Sequence, residues 1–227
     1  MKKTELSILL PSLRKELAER TIREFAQNNL NCNYEVIVVS PFEIEGERVR
    51  HVFEGDKQLG SVQATRLAYK YAQSPYIMYF SDDVSPANNC LNNMLEFVKS
   101  KSEPFIGAFK MMQGNKEIGP FGAYGRLYAC YGMLSKDTID AIGGFFNSQY
   151  MYSWVDIDMS LRCWESKGKV EICDYAIVYP RQIEDDIYIK HRKETWSQDV
   201  DTFMKLWHGK LGEGLEQIEG KVNRRLN

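Results

Sequence analysis

Two adjacent carboxylates follow an apolar run in Tyr76–Pro86, which has the sequence YIMYFSDDVSP. The five apolar residues predict a buried strand, and Asp82 and Asp83 come just after it. Neighbouring carboxylates repel each other, so another group must compensate them. Either they cap a helix expected to begin near Pro86, or they ligate a hard divalent cation, which prefers oxygen ligands and keeps positions open for phosphate. The pair alone leaves both hypotheses open.

A second acidic cluster lies at the start of a predicted helix. Asp156 and Asp158 occupy its first turn, and Arg162 follows Asp158 at i+4. This pattern fits a capped helix with one internal ion pair, worth on the order of a few tenths of a kcal/mol. It also fits a catalytic site, because Trp154 would partly desolvate Asp156 and raise the pKa of that carboxyl group towards the value that a general base needs.

The elements that must position these clusters alternate along the chain. The first 82 residues predict strand, helix, strand, strand, helix, strand, with strands in LSILLP, YEVIVVS, RVRHVF and YIMYFS. This order is typical of a mainly parallel sheet with crossover helices. Open sheets of this kind bind ligands beyond the carboxyl ends of their strands, which is where Asp82 and Asp83 lie.

The rest of the chain predicts a helix from Pro86 to Ser100, a strand in PFIGAFKMM and a short helix in SKDTIDAIGGF with Ser135 as its N-cap. A helix in DIDMSLRCWESKG, one or two strands in KVEICDYAIVY and a last helix through SQDVDTFMKLW follow. No repeat or linker interrupts the 227 residues. We therefore expect a single domain over residues 1–227.

The composition excludes several classes of protein. Hydrophobic residues make up 44% of the chain and aromatic residues 12%, which is enough for a sizeable core. The net charge of −2 lacks the basic excess of a nucleic-acid binder, so we expect no nucleic-acid partner. The five cysteines show no C-x-x-C spacing, and no segment approaches the ~20 apolar residues of a membrane span. We expect a soluble, cytoplasmic protein.

Taken together, these stretches resemble family 2 of the glycosyltransferases. LSILLPS and YEVIVVS look like the family's first two strands, and SVQATRLAYKYAQSPYIMYFSDDVSP is similar to its Ala-x-Arg helix followed by the DXD metal motif. CYGMLSKDTIDAIGGF looks like the segment before the acceptor site, and YSWVDIDMSLRCWESKG is similar to the helix that begins with the catalytic acidic residue. The resemblance covers roughly residues 4–180.

The resemblance implies an α/β GT-A fold with a mainly parallel central sheet flanked by helices. It divides the chain into a nucleotide-binding half (residues 1–100), an acceptor half (101–195) and a C-terminal helix and tail (196–227).

The resemblance also assigns the catalytic and metal-binding residues. Asp83 matches the direct metal ligand, and Asp82 its partner, which orients ribose or a metal-bound water. Asp156 matches the general base on the acceptor hydroxyl, and Arg66 the helix arginine near the diphosphate. His191 is a candidate metal ligand because some members bring a histidine from this region; the alternative is a surface histidine in a basic loop.

The nucleotide-binding positions follow the family only in part. Pro11 and Ser12 match the turn that binds the base. The family usually has an Asp at the end of the second strand, where this chain has Ser40. Glu43 or Glu45 would substitute from a shifted position, which leaves the identity of the nucleotide open.

The function implied is a metal-dependent inverting glycosyltransferase with Mn²⁺ or Mg²⁺, a nucleotide-sugar donor (UDP favoured) and a glycan or lipid-linked sugar acceptor, in surface-glycan biosynthesis. The basic stretches HRKETW and KVNRRLN form a solvated face or weakly contact a membrane surface. A sugar nucleotidyltransferase is one alternative, although PSLRKELAER lacks the glycines of its usual loop. A non-catalytic binding module is the other, because Ser40 and Val155 depart from the family pattern.

Overall fold

The computed structural model describes residues 4–55, 58–181 and 183–211, without the side chains of residues 191, 192, 209 and 211. The helices are α1 (Lys15–Asn28), α2 (Ser61–Tyr71), α3 (Cys90–Lys99), α4 (Lys136–Ala141), α5 (Val155–Glu165) and α6 (Asp186–Leu211). The strands are β1 (Leu6–Pro11), β2 (Tyr34–Ser40), β3 (Val49–Phe53), β4 (Tyr76–Tyr79), β5 (Val84–Pro86), β6 (Phe105–Gln113), β7 (Lys116–Gly119), β8 (Phe121–Ala123), β9 (Arg126–Tyr128), β10 (Gly132–Ser135) and β11 (Lys169–Pro180).

The first four strands form a parallel half-sheet in the order β3-β2-β1-β4. The helices α1 and α2 are its crossovers, which confirms the predicted order of elements over this half. Strand β1 is apolar on both faces because both are covered. Leu9 packs with residues of α2 and α5, and Ile8 and Leu10 pack with residues of α1 and α3.

The prediction of a mainly parallel sheet is wrong, because the sheet is mixed. Strand β10 lies antiparallel between β4 and β6, while β11 is parallel to β6. Of the eight pairings that the described residues form in the main sheet, four are therefore antiparallel, those of β10 with β4 and β6, of β11 with β5 and of β6 with β7. No helix separates β6 from β10 along the chain, so β10 returns antiparallel to β6.

The segment after Asp83 also differs from the prediction. Strand β5 occupies the predicted start of the helix, and α3 begins only at Cys90. The hypothesis that the two aspartates cap this helix is therefore wrong. Farther along the chain, Ser135 does cap α4, since its hydroxyl accepts the Thr138 N–H at 2.9 Å.

The last described helix is longer than predicted. Helix α6 begins at Asp186 and includes His191, so this histidine lies on a helix and not in a basic loop. The predicted polar tail falls on residues 212–227, outside the described part of the chain. None of the described helices combines the length and apolar character that crossing a bilayer requires.

Candidate active site

A cleft of about 510 Å³ opens beyond the carboxyl ends of β1 and β4. Its walls come from the turn after β1, the turn after β4, the amino-terminal ends of α2 and α5, and the first half of α6. Asp82, Asp83 and Asp156 all line it, together with Pro11 and Ser12. The structure therefore brings Asp82 and Asp83 of the first acidic cluster and Asp156 of the second into one cavity, although the clusters lie far apart in the sequence.

Asp82 is buried and its carboxylate is already engaged. The Ser12 hydroxyl donates to Oδ2 at 2.6 Å, and Arg14 Nη1 lies 3.3 Å from Oδ1. Burial raises the pKa of Asp82, and the Ser12 hydrogen bond and the Arg14 charge partly offset that rise. Asp82 thus joins the turn after β1 to the turn after β4.

Asp83 is held by its backbone, which leaves its carboxylate available. The Arg181 backbone N–H donates to the Asp83 carbonyl at 2.7 Å, and the Arg181 guanidinium donates to the Asp82 carbonyl at 3.0 Å. Oδ1 of Asp83 is buried and has no hydrogen-bond partner among the described residues. A buried carboxylate oxygen without a donor fits a cation or a ligand hydrogen-bond donor in the cleft.

Two arginines, Arg181 and Arg14, hold the turn that carries Asp82 and Asp83, and the sequence patterns did not predict this role. Arg181 also donates to Thr21 Oγ1 at 3.2 Å and pairs with Glu24. Arg14 forms a two-pronged pair with Asp185, with Nε–Oδ2 and Nη2–Oδ1 distances of 2.6 and 2.9 Å, and this pairing lowers the pKa of Asp185 to about 2. Both arginines place positive charge beside the aspartate turn.

Asp156 lies in the first turn of α5 and faces the cleft. The surrounding protein raises the pKa of its carboxyl group to about 6, because burial disfavours the charged form. Hydrogen bonds from backbone N–H groups and from the Cys130 thiol act in the opposite direction. The predicted effect of the neighbouring Trp154 is consistent with this setting, since Trp154 is buried and lines the same cavity.

The turn before α5 is fixed by Asp199 of α6. The two carboxylate oxygens of this fully buried residue accept the backbone N–H groups of Met151, Tyr152 and Ser153 at 2.8, 2.8 and 2.7 Å. Three N–H donors compensate the buried charge of Asp199, and they set the path of the chain into Asp156. Nothing in the sequence around Asp199 signals this role.

The amino-terminal end of α2 also packs against this turn. Gly60 has φ 82°, and a Cβ there would lie 2.8 Å from the Met151 carbonyl. Val62 donates its N–H to that same carbonyl at 3.1 Å. The absence of a side chain at Gly60 thus permits the close approach of α2 to the turn that carries Asp156.

Asp158 does not share the cleft with Asp156. Its carboxylate pairs with Arg162 Nε at 2.9 Å, as the i+4 spacing predicts, and it accepts the Trp207 indole N–H at 2.9 Å. Arg162 in turn donates to the carbonyls of Ile142, Gly144 and Phe145. Asp158 therefore joins α5 to α6 and to the loop after α4.

Three of the predicted nucleotide-binding residues are not among the described residues that line the cleft. Ser40 donates its hydroxyl to the Phe42 carbonyl at 2.5 Å, and Glu43 is exposed. Arg66 donates to the Phe146 carbonyl, and it is not among the described residues that line the cleft. Glu54, which the sequence patterns did not single out, does line it.

The described residues of the cleft offer few ligands for a metal ion. Within the described ranges, no group of three or more His, Cys, Asp and Glu side chains is placed to hold one. His191 contributes only its backbone to the described structure, so its role as a ligand stays a prediction. Mg²⁺ in nucleotide sites commonly takes one or two carboxylates and completes its shell with phosphate and water. The free carboxylate oxygen of Asp83 fits that pattern.

No family model matches this sequence, and no curated protein matches it. Among solved structures, the chain is similar to TarS of S. aureus, with a TM-score of 0.63 and 13% sequence identity. The match covers 84% of this chain but only 39% of TarS, so the chain spans about two fifths of that protein's length. At this identity the likeness shows the fold alone: the chain shares the fold of the matched part of TarS. The resemblance to family 2 stays a prediction.

Proposed function

We propose that this chain is a GT-A-type, inverting glycosyltransferase of family 2 that moves a sugar from a nucleotide-sugar donor to a hydroxyl acceptor. One observation carries the proposal. A single cleft holds Asp83, with a carboxylate oxygen free for the donor side, and Asp156, with a pKa of about 6, for the acceptor side.

Asp156 would act as the general base. With a pKa of about 6, its carboxyl group is mostly ionised at pH 7, yet it is a stronger proton acceptor than an ordinary aspartate. It takes the proton of the acceptor hydroxyl as that oxygen attacks the anomeric carbon on the face opposite the leaving diphosphate. Asp199 keeps this base in place by fixing the turn in front of it.

The aspartate turn would hold the diphosphate end of the donor. Asp83 is the residue best placed to hold Mn²⁺ or Mg²⁺, and the ion when bound would neutralise charge on the leaving diphosphate. Asp82 contributes indirectly, because its carboxylate is bound to Ser12 and Arg14. Arg14, which lines the cleft, adds positive charge on the same side.

The acceptor would enter on the side of Asp156. Trp154, Tyr188 and Trp196 line the cleft, and the ring centroids of Trp154 and Trp196 lie 5.6 Å apart. Aromatic faces of this kind suit a sugar ring, so we propose a glycan or lipid-linked sugar as acceptor. Synthesis of a surface glycan and weak contact with a membrane surface belong to the same proposal.

Calorimetry tests the donor half of this proposal. We expect one of UDP, GDP and CMP, with UDP favoured, to bind in the presence of Mn²⁺, and to lose most of its affinity in Asp83→Ala. Asp201→Ala, which removes an exposed carboxylate of α6, is the matched control and should bind like the wild type. Failure of every nucleotide to bind, with or without the metal, would overturn the proposal.

The two alternatives differ from this proposal in the reaction that the bound nucleotide undergoes. A sugar nucleotidyltransferase would join a sugar phosphate to a nucleoside triphosphate and release pyrophosphate. A non-catalytic module would bind the nucleotide without consuming the donor. Slow hydrolysis of a nucleotide-sugar that is lost in Asp156→Asn would support the transferase and exclude both.

A further inference from the structure

Glu54 is a buried carboxyl group in the part of the cleft next to the amino-terminal end of α2. It directly follows β3, it is 8% exposed, and it lines the cavity. We propose that Glu54 binds the nucleoside of the donor by accepting two adjacent hydrogen bonds from it, in place of the acid expected at Ser40. This inference rests on the proposed function and adds the residue that selects the nucleotide.

The strand order places Glu54 where a nucleoside would lie. The parallel strands β4, β1, β2 and β3 are neighbours in that order, so their carboxyl ends share one edge of the sheet. Neighbouring strands lie about 4.8 Å apart, which puts the end of β3 roughly 14 Å from the end of β4 along the sheet. An extended nucleoside diphosphate bridges about that span, with its diphosphate near Asp83 and its nucleoside near Glu54.

Strands β1 and β2 lie between β3 and β4, and neither of them ends in a carboxylate that could bind the nucleoside. Ser40 ends β2 with its hydroxyl directed to the Phe42 carbonyl and its Oγ 3.1 Å from His51 Nε2. Ser12, after β1, is bound to Asp82. Of the carboxyl groups that line the described cleft, Glu54 alone follows a strand on the β3 side of β1.

The carboxyl group of Glu54 is positioned by a neighbouring backbone group. Ser61 and Ala64 of α2 line the same cavity. The Leu59 N–H donates to Glu54 Oε1 at 2.8 Å, which orients the carboxyl group. Burial raises the pKa of Glu54, and hydrogen-bond donors on a ligand would compensate the buried charge.

An ionised carboxylate only accepts hydrogen bonds, so its partner must offer donors. Two parts of a nucleoside offer an adjacent pair: the 2′- and 3′-hydroxyls of ribose, and the N–H edge of a base such as guanine. Both sources share the chemistry that Glu54 would recognise. The bound nucleotide decides between them.

Glu54→Gln is the discriminating variant. Glutamine keeps an oxygen for the Leu59 N–H, so the turn should fold, but its amide nitrogen replaces one acceptor with a donor. Glu47→Gln, which changes an exposed acid that does not line the cleft, is the control. Calorimetry with Mg²⁺ would compare UDP, GDP, the 2′,3′-dideoxy form of whichever binds, and inorganic pyrophosphate.

We expect Glu54→Gln to bind the nucleoside diphosphate about tenfold more weakly or worse, because a hydrogen bond to a charged group is lost, while Glu47→Gln matches the wild type. Pyrophosphate should bind both variants as it binds the wild type. If ribose supplies the donors, the dideoxy nucleotide loses affinity for the wild type but not further for Glu54→Gln. If the base supplies them, the dideoxy nucleotide binds the wild type with normal affinity. The difference in affinity between UDP and GDP is then smaller in Glu54→Gln than in the wild type.

Two outcomes would overturn the role of Glu54. One is nucleotide affinity in Glu54→Gln within about twofold of the wild type; the other is an equal loss for pyrophosphate, which would show a general change in the cleft. Either result leaves the proposed function standing. Failure of the wild type to bind any nucleotide would instead remove the proposed function, and this inference with it.

Discussion

The two turns that carry the acidic residues of the cleft are fixed by groups of opposite charge. The turn after β4 is held by the guanidinium groups of Arg14 and Arg181, whereas the turn before α5 is held by the carboxylate of Asp199. Because Arg14 also pairs with Asp185 and Arg181 with Glu24, the first turn stays net acidic, which suits a divalent cation. The second surrounds Asp156 with protein that disfavours its charge, which suits a group that must accept a proton.

The largest expected effect comes from removing the proton acceptor in the second turn. Asp156→Asn should lower the rate of sugar transfer by about 10²–10⁴-fold, which is the usual contribution of a positioned base, while nucleotide affinity stays unchanged. Rate and affinity would be measured with the donor that calorimetry selects, and Asp201→Asn is the control. An unchanged rate would show that Asp156 is not the proton acceptor and that the second turn does not have this role in the reaction.

The second-largest effect is expected from changing Asp199, whose carboxylate holds the second turn. Asp199→Asn leaves at least one of the three backbone N–H groups without its acceptor, so we expect the free energy of unfolding to fall by about 2–4 kcal/mol. Urea denaturation measures the loss, and Asp201→Asn on the same helix should match the wild type. Stability equal to that control would mean that α6 does not fix this turn.

The support of the first turn should have a smaller effect. Arg181→Lys keeps the charge but loses the planar fork that joins the carbonyl of Asp82 to Thr21, so we expect a loss of about 1–2 kcal/mol in unfolding free energy and weaker nucleotide binding. Arg23→Lys, on the exposed face of α1, is the matched control. Weaker binding without any loss of stability would instead point to a direct contact with the ligand.

The smallest expected effect is a shift in the pKa of Asp156, the proposed general base. With a pKa of about 6 for Asp156, the rate should fall as the pH drops below about 6, because the carboxyl group becomes protonated. The Cys130 hydrogen bond lowers that pKa, so Cys130→Ala should raise it and move the acidic limb of the pH–rate profile to higher pH, by roughly half a unit. Cys130→Ser, which retains a donor, should move it less. A shift to lower pH in Cys130→Ala would contradict this account.

The fold could be predicted where the signal is local. The apolar runs of β1, β2 and β4 predict buried strands, and the helical spacing in α1 and α2 predicts the crossovers between them. The direction of β10 could not be predicted, because an apolar run has the same composition in a parallel and an antiparallel strand. The short strand β5 was missed for a related reason: its three residues pair with β11, which lies far along the chain.

The residues of the site could be predicted in part. Residue types and neighbours singled out two acidic clusters, and the resemblance selected Asp83 and Asp156 from them; both line the cleft. Arg66, Ser40 and Glu43 were also assigned on the resemblance, and none of the three is among the described residues that line it. A resemblance transfers a position along the chain, whereas the direction in which a side chain points depends on packing.

The first half-sheet, its crossover helices and the two acidic clusters can be predicted from local sequence, because periodicity and residue type act over a few neighbouring residues. It takes the packed fold to show that Asp83 and Asp156 share one cavity, that Asp199 and Arg181 hold their turns in place, and that Glu54 lines the same cavity. Those relations join residues that are far apart in the chain. They arise because buried charges and backbone N–H groups must find partners wherever the packed fold brings them.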